Sequence, residues 1–241
     1  MSKRFGLLKK ARKYYRDLDY PKALEILDTE FFKDDAIAHF ILAQMYTYGN
    51  KRDTGLKRDT KLAMKHYKRS SELGYAEASY EVANNYELGD GVKQSNNKAV
   101  EYYLLAIEQG HIVSKYYLAD MYLDHYPEKI TDATSLLEEV ISDGEYEGLA
   151  CAKLGKLYLR GKGVTQDYIK AMQWFEKGES YQHSSCFMEL SYMYFNGLGV
   201  DKDLQRALEY VEKAGEDHIA YEDAKEAIKN EISSPRKSGK S

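Results

Sequence analysis

The side chains most often used for catalysis and metal binding are spread thinly along the 241-residue chain. No two of its six histidines form an H-x-x-x-H pair, and none stands at metal-ligand spacing from a cysteine. This spacing predicts a protein that has no metal site, needs no cofactor and is not an enzyme. The histidines are His39, His66, His111, His125, His183 and His218.

One short motif does match a catalytic pattern. Ser95-Asn96-Asn97-Lys98 has the S-x-x-K spacing of serine enzymes that act on β-lactams. The serine stands where a helix is predicted to begin, and no K-T-G sequence accompanies it, so the pattern favours a helix N-cap over a nucleophile. The Gly-x-Gly-Val segments are not phosphate loops, because each follows a predicted helix and no Lys-Ser/Thr comes after it.

These motifs recur because the chain is repetitive. ACAKLGKLYLRGKGVTQDYIKAMQWFEKG at 150–178 returns 36 residues later as CFMELSYMYFNGLGVDKDLQRALEYVEKA at 186–214. Six copies align on a small anchor residue, which is followed three places on by tyrosine and later by alanine. The anchors are Ala11, Ala43, Ala83, Ala119, Gly155 and Ser191; the tyrosines are Tyr14, Tyr46, Tyr86, Tyr122, Tyr158 and Tyr194; the alanines are Ala23, Ala63, Ala99, Ala133, Ala171 and Ala207.

Each copy predicts two packed helices that position these residues. Gly161 and Gly163 are expected to end a first helix, because glycine adopts the left-handed conformation of a C-terminal cap. Asp167 and Asp203 are expected to begin the second helices, where a carboxylate meets unsatisfied backbone donors. Small residues allow two helices to approach to about 8–10 Å at their crossing. Second-helix aromatics are expected to fill the space around it, namely Tyr67, Tyr103 and Phe175.

The pattern A-x-x-x-L-G-x-x-Y-x-x-G-x-G-V-x-x-D-x-x-K-A-x-x-W-F-x-K resembles the Sel-1-like repeat, a relative of the tetratricopeptide repeat. The resemblance covers nearly the whole chain, although the copy around Tyr122 has Pro127 in place of the glycine loop. It implies an all-α fold, a right-handed α-solenoid of about six antiparallel helix pairs. The expected single domain, 1–232, has repeats at 3–33, 36–73, 76–109, 112–143, 148–178 and 184–214 and a capping helix at 218–232, before a disordered tail at 233–241.

Charge is uneven, although the net charge is only −4. Residues 1–16 hold seven basic residues and no acid, whereas 17–234 holds 25 basic and 39 acidic residues. An acidic body argues against nucleic acid as the main ligand. The basic helix at 3–16 could be a membrane-surface or targeting helix, but Ala11 and Tyr14 fit the repeat, which favours a capping repeat.

Compartment and assembly follow from composition. No apolar run reaches the roughly 18 residues of a membrane span, and the first residues lack a secretory signal. Cys151 and Cys186 fall on first helices of adjacent repeats, and the spacing of about 8–10 Å between neighbouring helix axes is long for a disulfide, so we expect both to be reduced and packed. We therefore expect a cytoplasmic monomer.

Binding is the expected function. In the tetratricopeptide superfamily the first helices line a concave face, and the resemblance places two positions on it, three before and one after each anchor. The expected partner-binding residues are Phe40, Gln44, Tyr80, Asn84, Tyr116, Asp120, Lys156, Met188 and Tyr192. Aromatics beside amides suit an extended peptide or a partner helix. The alternative, that these aromatics are only core between helices, stays open at this point.

The resemblance thus implies a non-enzymatic scaffold or adaptor that binds a partner protein or peptide, with no nucleic acid and no membrane span. Two alternatives come from relatives. Some cysteine-rich members are described as β-lactam-binding, which would suggest a β-lactam- or peptidoglycan-related enzyme. Other members neutralise toxins, which would suggest an immunity protein.

Overall fold

The computed structural model describes residues 2–49, 54–144, 146–216 and 218–233. Over these ranges the chain forms thirteen α-helices and no strand, which confirms the predicted all-α fold of helical hairpins. The helices are α1 Ser2–Arg16, α2 Tyr20–Leu27, α3 Ala36–Tyr48, α4 Thr60–Glu72, α5 Ala76–Leu88, α6 Asn96–Glu108, α7 Ser114–His125, α8 Ile130–Asp143, α9 Glu147–Arg160, α10 Tyr168–Ser180, α11 Ser184–Asn196, α12 Leu204–Ala214 and α13 Tyr221–Ser233.

The chain divides into two compact units, 1–121 and 122–241. The first unit contains the hairpins α1/α2, α3/α4 and α5/α6, and the second contains α9/α10 and α11/α12, with α8 packed on α9 and α13 packed on α12. The expected single domain over 1–232 stays a prediction. The expected disordered tail lies, after Ser233, outside the described residues, as do residues 50–53 of the long loop between α3 and α4.

Small residues occupy the helix crossings as predicted. All six anchors and all six later alanines are buried. The second-helix aromatics Tyr67, Tyr103 and Phe175 are at most 2% exposed. A Cβ at Gly155 would collide with the ring of Phe175, so the large residue on α10 fits only because the anchor on α9 is small.

The two glycines of each Gly-x-Gly-Val loop have different roles. The first ends the helix: Gly89, at φ 75°, donates its backbone N–H to the Asn85 carbonyl. The second allows a close approach to the second helix of the preceding hairpin, because a Cβ on Gly91 would overlap the Thr60 carbonyl at the start of α4. The same arrangement recurs at Gly199, which packs on Tyr168 at the start of α10.

Second helices begin at the predicted caps. The side chains of Asp167 and Asp203 accept hydrogen bonds from the backbone N–H groups of Lys170 and Arg206, at 2.9 and 3.0 Å. Each cap residue also donates its own N–H to the carbonyl of the anchor tyrosine, as Asp167 does to Tyr158 at 2.9 Å. The loop between the two helices is therefore closed by backbone bonds as well as by the cap.

A basic residue just before the later alanine covers the anchor tyrosine in four of the hairpins. Its cationic group lies over the ring, an arrangement that is favourable because the ring face is negative. The pairs are Lys22 on Tyr14 at 5.6 Å, Lys98 on Tyr86 at 5.2 Å, Lys170 on Tyr158 at 4.2 Å and Arg206 on Tyr194 at 5.4 Å. In the other two repeats, Lys129 covers Tyr122 and the His66 ring stacks on Tyr46.

One predicted helix is shorter than expected. The second helix of the first repeat, 3–33, was expected to run to residue 33, but α2 ends at Leu27, and a 3-10 turn at Glu30–Phe32 follows it. The break at Asp28, where ψ is 59°, redirects the chain. Phe32 thereby enters the core of the first hairpins, where it is 1% exposed.

Candidate partner-binding site

The predicted binding residues lie on the first helices, and we use the name first-helix face for the surface that these helices present within each unit. In the first unit this face is formed by α1, α3, α5 and the part of α7 up to residue 121. In the second unit it is formed by α9 and α11.

A groove of about 420 Å³ runs between α1 and α3 and reaches the beginning of α5. Phe40 is only 8% exposed, and its ring packs against Tyr67 and Tyr75, with a centroid distance of 4.9 Å to Tyr75. The predicted residue Phe40 is therefore mostly core, and its remaining accessible part lines the groove. Gln44 is half-buried beside it and accepts a hydrogen bond from the Tyr15 hydroxyl at 2.8 Å.

An aromatic cluster forms the next part of the face, between α5 and α7. Tyr80 is half-buried, with its ring centroid 4.9 Å from His111 and 5.2 Å from Tyr117. Tyr116 is also half-buried and packs edge-on against Tyr117 at 5.6 Å. These contacts fix the rings while leaving part of each accessible, which lowers the entropy cost of using them for binding.

Carboxylates lie close to this cluster. Glu77 accepts from His111 Nε2 at 3.0 Å, and His111 Nδ1 lies 2.8 Å from the Ser114 hydroxyl. Burial, helped by the negative charge of Glu77, raises the pKa of the neighbouring Glu81 carboxyl to about 7. The predicted polar residues Asn84 and Asp120 are half-buried on the same helices.

The three predicted residues of the second unit are arranged around α11. Lys156 on α9 forms an ion pair with Glu189 on α11 at 3.3 Å. Tyr192 is 51% exposed and lines two grooves, one shared with α9 and one shared with α13. Met188, half-buried, lines the groove between α11 and α13, to which α13 contributes Ala224, Ala227 and Ile228.

Sequence analysis overlooked several residues of this face. Glu81, Tyr117 and Glu189 all stand two places before their anchors, a row that the two chosen positions omit. These residues lie about 100° around the helix from the position three before the anchor. A prediction that took in a wider strip of the helix surface would therefore have included them. No repeat signal marked Tyr75, which lies in the turn that joins α4 to α5 and lines the groove from there.

The S-x-x-K residues take the predicted cap role. The Ser95 hydroxyl accepts from the Lys98 backbone N–H at 3.4 Å at the start of α6, and the Lys98 amine lies over the Tyr86 ring. Among the residues that the structure describes, no cluster of three His, Cys, Asp or Glu side chains could hold a metal ion. No helix in the described ranges is long and apolar enough to cross a membrane.

Comparison with known proteins places these hairpins in a family. The Sel1 repeat model matches residues 36–75, 76–111, 148–179 and 188–217. An uncharacterized protein of Neisseria meningitidis is 26% identical over 162 residues, and chitin synthase regulatory factor 1 of Schizosaccharomyces pombe is 26% identical over 178 residues. These alignments cover 67% and 71% of this chain but 32% and 38% of the relatives, so the chain spans about a third of the length of the curated relatives it matches.

A solved structure agrees on the fold. The crystal structure of a Sel1 repeat protein from Oxalobacter formigenes superposes with a TM-score of 0.72 at 22% identity. The superposition covers 87% of this chain and 84% of that one.

Proposed function

Because the chain belongs to the Sel1 repeat family, whose members are generally protein–protein interaction scaffolds, we propose that it is a non-enzymatic adaptor that binds a partner protein or peptide on its first-helix face. One observation carries this proposal: Tyr80 and Tyr116 are half-buried, fixed by ring contacts, and placed on the helices that present this face. Rigid, partly accessible aromatics are the side chains most often found at the centre of protein interfaces.

We propose that the adaptor acts as a monomer inside the cell. Cys151 and Cys186 are both free and buried, as is usual in a reducing compartment. The net charge of −4 and the acidic segment from 17 to 234 favour a protein partner over nucleic acid.

The test begins with a partner captured on the immobilised chain and identified by mass spectrometry. Its affinity is then measured by titration calorimetry for the Tyr80→Ala, Asn84→Ala and Tyr116→Ala variants. We expect Tyr80→Ala and Tyr116→Ala to lose about 2 kcal/mol or more of binding free energy, because central aromatics dominate such interfaces.

Lys93→Ala is the matched control, since Lys93 is exposed on the loop between α5 and α6 of the same unit. Circular dichroism first establishes that each variant is folded. Full affinity in all three folded face variants would reject the proposal, and loss of binding on changing the loops instead would move the site to the hairpin ends.

A further inference from the structure

The groove between α1 and α3 is lined by three cationic side chains, all from α1. Lys9, Arg12 and Arg16 stand at spacings of three and four residues, so they lie on one side of the helix and face the same groove. Among the described residues that line the groove, none carries a carboxylate. The positive charge is thus concentrated along one wall.

These three cations differ from other basic residues of the first unit. Arg4 pairs with Asp35 at 3.0 Å, and Arg58 pairs with Asp90 at 2.7 Å. Within the ranges 2–49, 54–144, 146–216 and 218–233, no side chain forms an ion pair with Lys9, Arg12 or Arg16. Three neighbouring like charges repel one another, and an anionic ligand would relieve that repulsion.

The floor of the groove is apolar and already formed. Ile37, Phe40 and Ile41 of α3 line it, and Tyr75 closes its end. The ring contacts of Phe40 with Tyr67 and Tyr75 hold its ring, and the hydrogen bond from Tyr15 to Gln44 joins α1 to α3. A ligand would therefore meet a fixed surface and would not have to order it.

We propose that this groove binds an acidic segment of a partner protein. An aromatic or aliphatic side chain of the segment rests on Phe40 and Tyr75, and carboxylates on either side of it pair with Arg12 and Arg16. Arginine suits this role because its planar guanidinium can bind a carboxylate through two parallel hydrogen bonds. The proposal rests on the proposed function and adds to it the charge of the ligand and the position of one subsite.

A peptide fits the groove better than the two other anionic partners. A flat bilayer surface would reach Lys9, Arg12 and Arg16, which are exposed, but not Phe40 and Ile41, which are buried. Nucleic acid binds chiefly through phosphates and would meet an acidic body, since 17–234 holds 39 acidic and 25 basic residues. Only a peptide with apolar side chains between acidic ones would contact both the cations of α1 and the apolar residues of α3.

The test is an unbiased selection on the full chain. A phage-displayed library of random 12-residue peptides is selected against the wild type and, in parallel, against Arg12→Glu/Arg16→Glu. Lys3→Glu/Lys10→Glu is the matched control: it changes the net charge equally on the same helix, but Lys10 lies over Tyr14 on the side of α2, away from the groove. Circular dichroism confirms folding, and Arg12→Gln/Arg16→Gln replaces the charge reversal if that variant does not fold.

We expect the wild type and the control to enrich peptides with Asp or Glu beside Phe, Trp or Leu, and the groove variant to lose that enrichment. The most enriched peptide, labelled with fluorescein, should bind the groove variant at least about tenfold more weakly than the control, with affinity falling as salt rises. Selected peptides without acidic enrichment, no selected peptide, or equal binding to both variants would overturn the proposal.

Two further measurements cover the other anions. The wild type is tested for sedimentation with phosphatidylserine–phosphatidylcholine vesicles and for binding to a 20-nucleotide single strand. Binding to either one through Arg12 and Arg16, without selection of an acidic peptide, would also overturn the proposal. Any of these failures leaves the adaptor proposal intact, because that proposal is tested separately, with the captured partner and the variants on α5 and α7.

Discussion

At the scale of single residues, the anchor tyrosines are held by more than burial. Tyr14, Tyr46 and Tyr158 are half-buried, and a cation or an imidazole covers the exposed face of each ring. The sequence shows a basic residue before the later alanine but not what this residue contacts. In the structure the Lys170 amine lies 4.2 Å from the Tyr158 ring centroid, and this contact joins the two helices of the hairpin.

Glu81 provides a residue-scale prediction about pH. Burial, and then the charge of Glu77, raise the pKa of Glu81 from 4.5 to about 7 in the folded chain. Between these values the folded state holds more protons than the unfolded state, so stability falls as pH rises. Glu81→Gln should therefore stabilise the chain at pH 8 by about 1–3 kcal/mol and change it little at pH 5.

Urea titrations of the wild type and the variant at pH 5 and pH 8 measure this difference. Glu101→Gln on the exposed side of α6 is the control, and it should stay within about 0.5 kcal/mol of the wild type at both pH values. An equal effect of Glu81→Gln at the two pH values would show that the Glu81 carboxyl is ionised throughout.

At the scale of elements, the hairpin is the repeating unit, and its loop glycines connect one hairpin to the next. Gly89 ends α5 in the left-handed conformation, and Gly91 lets the loop approach the start of α4. Asp59 caps α4 and donates its backbone N–H to the carbonyl of Tyr46 on α3. This bond closes the loop of the preceding hairpin, α3/α4. The Gly-x-Gly-Val motif is therefore a packing motif between successive hairpins.

Gly91 and Gly74 form a matched pair for a test of this role. Both have positive φ, at 71° and 87°, but a Cβ would overlap the Thr60 backbone at Gly91 and meet nothing within 4 Å at Gly74. Gly74→Ala should cost about 1–2 kcal/mol for the left-handed backbone alone. Gly91→Ala should cost at least about 1–3 kcal/mol more, because the loop must move away from α4.

The measurement is the free energy of unfolding of each variant in urea. Equal losses of unfolding free energy in the two variants would mean that the loop moves away from α4 at no cost. The left-handed backbone conformation alone would then account for the destabilisation.

At the scale of the whole molecule, the two units differ in the thiol groups that they contain. Both cysteines belong to the second unit, on α9 and α11, and both lie next to Gly178 of α10. Burial raises the pKa of Cys151 to about 11 and that of Cys186 to about 12. Neither thiol is therefore a ready nucleophile in the folded chain.

Thiol labelling follows from this arrangement. At pH 8 and without reductant, a chromogenic thiol reagent should react slowly with the folded chain and rapidly with two thiols per chain in urea. Recovery of no free thiol after unfolding would show a disulfide and contradict the proposed intracellular location. Fast labelling before urea would instead show that the second unit opens readily.

The sequence by itself determined the helical hairpins, their caps and their crossings, because these depend on residues within a few places of one another. Asp167 caps α10 and Gly161 ends α9 through bonds to the nearest turn of backbone. The anchors were found the same way, since a small residue at fixed spacing is needed wherever two helices cross.

Only the tertiary structure decided which side chains of different helices meet. His39 and His66, 27 positions apart, share a hydrogen bond between their Nδ1 atoms at 2.9 Å, and burial lowers the pKa of His66 to about 4. The structure likewise placed Phe40 mostly in the core and, over the part of the chain that it describes, gave Arg12 and Arg16 no carboxylate partner at the groove. Such pairings follow from how the helices pack on one another, which the spacing of residues along the sequence does not contain.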